Sequence, residues 1–477
     1  MTAAVGARIG TVRGARIAGA GREVLPDAGI AYDVFLQDGI IQDIAPHRAL
    51  PPRGEVVEAD GAWLIPGLWD HHVHVLPWAL AARRLDLGAA ESAAHAARLM
   101  AGAPTAADGR RVGVGFRDAL WPDAPDLAVL DAATGEVPAY LYNADLHSMW
   151  LNTAALRREG ISDAVDGMLR EEAAFEVGRR LNAVDAADGD ALVEQMARAA
   201  AARGVVGVVD LDMAWNEEAW TRRLAGGFDV LRVAFGIYPE HLPRAVAAGL
   251  RTGDRIAGGD SDLVRVGSLK VITDGSLGTR TAACSHGYPG DPHDRGVLTV
   301  QPDALQDLMT TATAAGLSCA IHAIGDVANS AALDAFAATG AWGTIEHAQL
   351  VAHADIPRFA RLGVGASVQP EHALDDRDMT DALWSQQTAL DPWATMAAAV
   401  LRTKDERPPW HAEEGLDAAT ALAASTAGGS TGGARIEPGA RADLALCAED
   451  PLAATGARLR AMEVAATLLG GRLTHGT

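Results

Sequence analysis

Between about Pro66 and Gly428 the sequence alternates short apolar runs, rich in β-branched residues, with alanine-rich stretches of helical spacing. The apolar runs predict strands at residues 205–211, 230–237, 264–273, 317–322, 342–347 and 363–369. Residues 304–315 and 327–338 predict helices between several of them. Strands that alternate with helices form parallel sheets, and this number of units favours a closed (β/α)8, TIM-like barrel over an open sheet.

The two ends of the chain have a different pattern, in which short strands are separated by turns. Near the N-terminus the predicted strands are 7–17, 33–43 and 55–59, and in the tail they are 442–446 and 462–468. Because a chain of 477 residues exceeds the usual size of one domain, a small β-sandwich built from both termini is expected beside the barrel. The predicted domains are 1–65 and 429–477 for the sandwich and 66–428 for the barrel.

Charge restricts the partners of the chain. The formal net charge is −22, from 62 acidic and 40 basic residues, and no run of Lys and Arg offsets it. Such a charge repels nucleic acid and anionic membranes. No run of about eighteen apolar residues is present that could span a membrane. We therefore expect a small-molecule substrate and neither a nucleic-acid nor a membrane partner, and a homodimer remains open.

Cysteine usage indicates the compartment. The three cysteines, Cys284, Cys319 and Cys447, lie far apart and form neither a disulfide framework nor a CxxC metal site. The first residues lack the continuous apolar segment of a secretory signal. These features predict a cytoplasmic protein.

Four histidines lie where predicted strands end. His72 and His74 follow the apolar run 64–68. Because alternate residues of an extended segment share a face, both imidazoles can bind one cation. His322 and His347 end two later strands and are one β/α repeat apart. Catalytic groups of such barrels lie at the C-terminal ends of the strands. A single histidine at a strand end is more often a hydrogen-bonding residue than a ligand, but four at matching positions predict a metal site.

Lys270 lies near the end of another largely apolar predicted strand. Burying its ammonium group is costly, so the lysine is expected to be paired, deprotonated or chemically modified. A salt bridge to the nearby Asp274 or to another carboxylate is the purely structural alternative.

Six motifs together resemble the amidohydrolase superfamily, in its YtcJ-like (amidohydrolase 3) branch. They are PGLWDHHVH, SLKVITDGSLGTRTA, IHAIGD, IEHAQL, QPEHALDDRD and IEPGARADLALCAEDPL, and the resemblance covers nearly the whole chain. It implies a (β/α)8 barrel with a β-sandwich from both termini, and hydrolysis of amide or similar C–N bonds with a divalent metal. It also implies metal ligands at His72, His74, His322 and His347, with Lys270 as a fourth-strand lysine that can be carboxylated to bridge two metals.

The resemblance further implies pocket-lining roles for His147 and Asn152, both in DLHSMWLN, and for Glu171, with His372 as another candidate substrate-binding residue. One departure from the family pattern concerns the eighth strand, whose aspartate binds metal and acts as general base. The chain passes from Gln369 and the residues after it to Asp391 without that segment, so the eighth strand is expected to be missing or altered. Asp391 is the nearest acidic candidate for the catalytic role.

These observations predict a metal-dependent amidohydrolase that acts on a small N-acyl, formyl or cyclic amide. Nitrogen ligands favour Zn²⁺, and the ligand set suits one or two ions. The missing segment supports an alternative, a catalytically impaired relative that binds a metal or ligand. A serine hydrolase is a third possibility, since residues 428–432 fit Gly-x-Ser-x-Gly, but no strand is predicted before that loop and no helix after it.

Overall fold

The computed structural model describes residues 3–19, 29–118, 121–144, 147–256, 261–276, 279–288, 291–370, 391–403, 408–426 and 434–476. Its strands are β1 (Ile9–Ile17), β2 (Tyr32–Gln37), β3 (Ile40–Pro46), β4 (Glu55–Glu58), β5 (Trp63–Pro66), β6 (Leu68–Val73), β7 (Leu85–Asp86), β8 (Arg111–Phe116), β9 (Ala139–Asn143), β10 (Ser148–Leu151), β11 (Met168–Arg170), β12 (Val205–Asp210), β13 (Arg232–Ile237), β14 (Val264–Ile272), β15 (Cys319–Ala323), β16 (Gly343–His347), β17 (Gly365–Ser367), β18 (Leu444–Cys447), β19 (Val464–Leu469) and β20 (Arg472–His475).

The helices are α1 (Val75–Ala81), α2 (Ala93–Ala101), α3 (Leu127–Thr134), α4 (Thr153–Glu159), α5 (Glu172–Leu181), α6 (Ala186–Ala201), α7 (Asn216–Ala225), α8 (Leu242–Ala247), α9 (Pro302–Ala315), α10 (Asp326–Thr339), α11 (Ile356–Leu362), α12 (Pro392–Leu401), α13 (Ala418–Ala424) and α14 (Ala457–Arg460). Short 3₁₀ helices occur at Pro239–His241 and Ala412–Glu414. In the part of the chain that is described, no helix is both long and apolar enough to cross a membrane.

The contacts divide the chain into two compact units. Unit 1 comprises residues 1–75, 190–268 and 389–477, and unit 2 comprises 76–189 and 269–388.

Unit 1 contains a sheet made from both termini. Its strand order is β20-β19-β18-β5-β1-β2-β3, and β4 pairs with β1. Alternate residues of these strands form an apolar core that includes Val12, Val34, Leu64, Leu446 and Leu468. The expected association of the two termini is therefore confirmed.

A second sheet has the strand order β17-β16-β15-β14-β13-β12-β6. Each of its pairings with a described register is parallel. Six of its strands, β12 to β17, overlap the six runs predicted from the apolar pattern. This seven-stranded parallel sheet, with helices between its strands, fits a TIM-like barrel, which confirms the predicted fold class. The stretch in which the sequence departs from the family pattern falls mainly on residues 371–390, which lie outside the described residues.

Unit 2 contains a third sheet that the sequence pattern did not predict. It lies between β6 and β12 in the sequence and has the order β11-β10-β9-β8-β7. β7, β8 and β9 run parallel, whereas β10 pairs antiparallel with both β9 and β11. Apolar side chains including Phe116, Leu141 and Trp150 pack on one side of it, and Tyr140, Met149 and Leu169 belong to a second cluster.

Glycine and proline set the ends of the helices that separate the barrel strands of unit 2. α9 begins with Pro302. Proline has no backbone N–H, and this costs no hydrogen bond in the first helical turn, where N–H groups have no partner within the helix. It ends at Gly316, which has a φ of 81° and closes the helix in the left-handed conformation that glycine adopts without strain. α10 ends in the same way at Gly340. The chain can therefore turn directly into the next strand.

Candidate metal centre

In unit 1, the C-terminal end of β6 places His72 and His74 side by side. Their ring centroids are 5.7 Å apart and the rings are inclined by 60°. Two imidazoles that bind one tetrahedral Zn²⁺ through nitrogens at about 2.0–2.1 Å have ring centroids about 5 Å apart. The two rings therefore lie near each other, as the HxH pattern predicted, and their role as ligands of one cation stays a prediction.

Three carboxylates that the sequence reading did not select surround this pair in unit 1. Asp70 Oδ1 accepts the backbone N–H of His72 at 3.0 Å, and burial raises the pKa of Asp70 to about 6. Asp212 Oδ1 lies 4.0 Å from Nδ1 of His74. Asp210 is fully buried and accepts hydrogen bonds from Nε1 of Trp220 and from the backbone of Asp212. Of these three carboxylates, Asp212 lies nearest to an imidazole nitrogen, and at 4.0 Å the contact is an ion-pair distance and not a hydrogen bond.

In unit 2, neighbouring strands β15 and β16 bring His322 and His347 together. Their ring centroids are 4.6 Å apart with an angle of 72° between the rings. In the register of the two strands, His322 lies opposite Glu346 and His347 lies opposite Ala323. His347 has a φ of 71°, a left-handed backbone conformation, so the regular alternation of side chains ends at this residue. Its Nδ1 lies 2.8 Å from Oε1 of Gln369.

Asp274 joins the loop after β14 to the end of β15. Its carboxylate accepts the backbone N–H groups of Ala283, Ile324 and Gly325 at 3.0, 3.1 and 2.8 Å. Burial raises the pKa of Asp274 to about 7, against the lowering effect of these three donors. Asp274 Oδ1 also lies 3.6 Å from Nε2 of His322. The carboxylate thus fixes both loops at the strand end that carries the histidine.

Lys270, on β14, points to the same side of the sheet as His322. It pairs in register with Ala320, so its side chain points to the same side of the sheet as those of His322 and Glu346. The residue is 1% exposed, and within the described residues its Nζ has no hydrogen-bond partner. Burial lowers the pKa of Lys270 to about 8, partly offset by the charge of Glu346. The alternative of a salt bridge to Asp274 is absent among the described ion pairs, and Glu346 is the carboxylate whose charge acts on the amine.

His147 and Glu171 form a hydrogen-bonded pair in unit 2, at 2.9 Å between Nδ1 and Oε2. The ring of His147 is 5.7 Å from that of His322 between centroids. Two of the residues expected to line the pocket therefore lie beside an expected metal ligand.

The structure gives Asn152 a different role from the pocket-lining one expected. The residue is fully buried and caps α4 by accepting the backbone N–H of Ala155 at 2.8 Å. Its amide N–H groups donate to Thr134 and to the carbonyls of Gly135 and Val137. The amide is thus committed to the fold and offers no surface to a ligand.

Asp391 likewise has a structural position. It caps α12 by accepting the backbone N–H groups of Trp393 and Ala394, and it pairs with Arg203 at 3.0 Å. This placement argues against the catalytic role considered for it. His372 and the Gly-x-Ser-x-Gly stretch at 428–432 lie outside the described residues.

Within the described ranges, no group of three or more His, Cys, Asp or Glu side chains is positioned to hold a metal ion. The described ranges contain two pairs of neighbouring imidazoles and the buried amine of Lys270, which has no hydrogen-bond partner among the described residues. A carbamate formed on that amine would supply two further oxygen ligands. Within unit 2, His322, His347 and such a carbamate offer the nitrogen and oxygen ligands that a divalent metal binds, and within unit 1 the pair of His72 and His74 offers two nitrogen ligands.

Comparison with known proteins gives a consistent assignment. The sequence profile of the amidohydrolase family matches residues 55–475. The Arabidopsis thaliana protein LONG AFTER FAR-RED 3 is 27% identical over 359 residues, which cover 68% of this chain and 61% of that protein. YtcJ of Bacillus subtilis strain 168, which is named as an amidohydrolase, is 24% identical to this chain. The alignment covers 93% of this chain and 95% of YtcJ. The chain therefore spans less than two thirds of the first relative and nearly all of the second.

Two solved structures share the fold. An uncharacterized metal-dependent hydrolase from Pyrococcus horikoshii superposes with a TM-score of 0.76, at 23% identity, over 93% of this chain and 98% of its own. A second, from Pyrococcus furiosus, gives 0.72 at 22% identity, over 93% and 99%.

Proposed function

The chain belongs to the amidohydrolase family, and from this premise we propose that it uses a bound divalent metal to hydrolyse a C–N bond of a small molecule. The bond is that of an amide, a formamide or a cyclic amide. Zn²⁺ is the metal that suits the proposed ligands, because neutral imidazole nitrogens favour it among the available ions.

The observation that carries the proposal is the environment of Lys270. An amine that is 1% exposed and has no hydrogen-bond partner among the described residues is costly to keep as an ammonium ion. With a pKa lowered to about 8 by burial, a fraction of it is neutral at physiological pH. A neutral amine can add CO₂ and release a proton, and the resulting carbamate has two oxygens that can bind two cations. A lysine that only stabilised the fold would instead be expected to have a carboxylate partner at hydrogen-bonding distance.

We propose His72 and His74 in unit 1, and Lys270, His322 and His347 in unit 2, as the metal ligands. When bound, a divalent cation supplies Lewis-acid activation of water and of the substrate carbonyl. Asp212 lies 4.0 Å from Nδ1 of His74, and Asp274 lies 3.6 Å from Nε2 of His322. Each carboxylate is therefore close enough to stabilise positive charge on its neighbouring ring, without a direct hydrogen bond to it.

One observation favours a second candidate, binding without efficient turnover. Asp391, the nearest acidic residue to the missing eighth-strand motif, is a helix cap with an arginine partner. Without a general base, the rate would lack a contribution of roughly 10²-fold to 10⁴-fold.

The test combines metal analysis with turnover. The purified protein, a chelated sample and a Zn²⁺-restored sample are offered N-formyl amines, N-acyl amines and cyclic amides. We expect turnover that chelation abolishes and Zn²⁺ restores, and a lower metal content in His322→Ala. The exposed His353→Ala is the matched control and should change neither. Turnover that is insensitive to chelation would overturn the metal's role, and a metal-loaded protein without turnover would support the second candidate.

A further inference from the structure

Asn329, on α10, donates hydrogen bonds to two separate loops of unit 2. The residue is fully buried, and its side-chain amide nitrogen lies within hydrogen-bond distance of four backbone carbonyl oxygens. These carbonyls belong to Ala323 at 3.2 Å, Ile324 at 3.2 Å, Gly325 at 3.0 Å and Leu350 at 3.3 Å. An amide nitrogen has two hydrogens, which the four acceptors therefore share. One side chain thus holds two segments of backbone.

The two segments follow the two histidines of the candidate metal centre in unit 2. Ala323 comes directly after His322 and ends β15. Leu350 lies in the loop after His347, the last residue of β16. In the register of these strands, Ala323 lies opposite His347. The amide of Asn329 therefore connects the residue after one imidazole to the loop after the other.

The loop after β15 is also held from its other side. The backbone N–H groups of Ile324 and Gly325 donate to the buried carboxylate of Asp274, at 3.1 and 2.8 Å. Both the N–H group and the carbonyl of each of these two residues are therefore in hydrogen bonds. A Cβ added at Gly325 would overlap the backbone carbonyl of Ala283, so the glycine permits this close approach. The loop next to His322 thus has a defined position, and Asn329 extends this constraint to the loop after β16.

The other residues of α10 show what the amide adds. The helix buries five further residues, and all of them are apolar: Ala328, Ala332, Leu333, Ala335 and Phe336. Asparagine is a poorer helix former than alanine, and burial of an amide is costly unless it is hydrogen-bonded. An alanine at position 329 would avoid both costs. What it could not supply is the set of hydrogen bonds to the two loops.

We propose that Asn329 is a positioning residue of the metal centre, which fixes the loops after β15 and β16 relative to each other and so holds His322 and His347 at a separation that suits one cation. The inference rests on the proposed function, in which these two histidines bind metal. It adds a residue that touches neither metal nor substrate and acts through the backbone. Loss of a group that orients metal ligands typically weakens metal binding by about tenfold to hundredfold.

Asn329→Ala removes the amide and should leave the helix intact. Alanine is the stronger helix former. Two of the four carbonyls also keep a backbone donor, because Ile324 accepts from Leu350 and Gly325 accepts from the N–H of residue 329 itself, both at 2.9 Å. The variant is therefore expected to fold, with a lower denaturant midpoint.

Asn152→Ala is the matched control. Asn152 is also fully buried in unit 2, and its amide also donates to two backbone carbonyls, those of Gly135 and Val137. It caps α4 beside the third sheet, so its bonds do not involve the loops after β15 and β16. Loss of this amide should also lower the denaturant midpoint, which makes the two variants comparable in stability.

The first measurement follows the two loops in the metal-free protein. The backbone N–H of Leu350 donates to the carbonyl of Ile324, so its hydrogen exchange reports whether the loops stay together. We expect exchange at Leu350 to be about tenfold faster in Asn329→Ala than in the wild type, and unchanged in Asn152→Ala. Unchanged exchange at Leu350 in Asn329→Ala would overturn the proposal. This result depends neither on zinc nor on turnover.

The second measurement is zinc affinity, obtained by competition of the metal-free proteins with a chromophoric chelator. We expect zinc to bind about tenfold to hundredfold more weakly to Asn329→Ala than to the wild type, and equally well to Asn152→Ala. In a His347→Ala background, Asn329→Ala should have little further effect, because the second imidazole is no longer there to be positioned.

The outcomes separate this proposal from the proposed function. A folded Asn329→Ala that binds zinc as tightly as the wild type would overturn the role of Asn329 and leave the proposed function standing. Equal losses of affinity in Asn329→Ala and Asn152→Ala would also overturn that role, because a general loss of stability would explain both. A wild-type protein that binds no zinc would overturn the proposed function, and the role of Asn329 at a metal centre with it.

Discussion

His347 combines a strained backbone with a position at the candidate metal centre. A non-glycine residue at positive φ costs about 1–3 kcal/mol and persists only where its surroundings hold it. In an extended strand the side chain of His347 would follow that of Ala323 to the opposite face from His322. The φ of 71° turns the ring back, to 4.6 Å from His322. The strain is therefore the cost of bringing two imidazoles together.

Substitution of His347 by glycine separates strain from metal binding. We expect His347→Gly to change the free energy of unfolding of the metal-free protein by less than about 1 kcal/mol, because relief of strain offsets the lost contact with Gln369. Its zinc content should fall. His411 is the matched control, since it is also a histidine at positive φ, 48°, but is exposed and bonded to Glu413. Denaturant midpoints measure the stability of His347→Gly and His411→Gly, and metal analysis measures their zinc content. An equal zinc content in these two variants would contradict the assignment of His347 as a ligand.

Burial of Lys270 gives stability a pH dependence. A folded-state pKa near 8 against 10.5 in the unfolded chain means that the unfolded state binds the proton more strongly between these values. Stability of the metal-free, uncarboxylated protein should therefore rise with pH from about 8 to 10.5, and the cost at pH 7 is about 3 kcal/mol. Lys270→Met should raise the Tm at pH 7 and flatten this rise. A variant whose Tm still climbs as steeply between pH 8 and 10.5 would show that another group is responsible.

The carboxylates around the histidines show what sequence reading could not reach at this scale. Four histidines and one lysine could be chosen because each ends an apolar run. Asp210 and Asp274 also follow apolar runs, but Asp274 was considered only as a partner of Lys270. Its contacts are with the backbone of Ala283, Ile324 and Gly325, which are distant in sequence. Such partners follow from the packing of loops, which no local pattern specifies.

At the scale of elements, periodicity predicted the barrel strands and missed the third sheet. The strands from β12 to β17 are apolar runs separated by helices, a repeat that can be recognised without knowing its neighbours. β7, β10 and β11 have two to four residues each and show no alternation. β7 pairs with β8, β10 pairs with β9, and β11 pairs with β10, so these strands form through contacts with their neighbours in the sheet and not through a local pattern. This sheet nevertheless positions His147 and Glu171.

The start of α12 tests the structural role given to Asp391. Asp391→Ala removes the cap of the helix and the partner of Arg203, and loss of a cap costs about 0.5–2 kcal/mol. We expect a lower denaturant midpoint and an unchanged kcat/KM. Asp391→Asn keeps a capping side chain and should recover most of the stability. A large loss of activity in both variants at unchanged stability would show that Asp391 is catalytic after all.

At the scale of the whole molecule, the sequence predicted that both termini contribute to one β structure, and the strand order of unit 1 shows how they do so. β5 pairs with β18, so the N-terminal and C-terminal segments meet in the centre of the sheet. The side chain of Arg232, at the start of β13, is 7% exposed and pairs with Asp443 at 2.6 Å, just before β18, and with Asp262 at 3.2 Å. Asp443 also accepts the backbone N–H of Gly470. One buried ion pair thus ties the C-terminal strands to a barrel strand within unit 1, a long-range contact that sequence pattern does not reveal.

Removal of both partners of this pair should cost less stability than the two single removals added together. Arg232→Met leaves the buried carboxylate of Asp443 without its cation, which costs about 3–5 kcal/mol. Asp443→Leu should cost less, because Arg232 keeps Asp262 as a partner at 3.2 Å. The double variant replaces both charges by apolar groups, so its loss should be clearly smaller than the sum of the two single losses. Arg441→Met is the matched control, because Arg441 also pairs with Asp262, at 3.4 Å, but has a half-exposed side chain and should cost less than about 1 kcal/mol. Denaturant midpoints of the four variants measure the coupling. If the single losses simply add in the double variant, then Arg232 and Asp443 act independently, and the ion pair does not hold the C-terminal strands to β13.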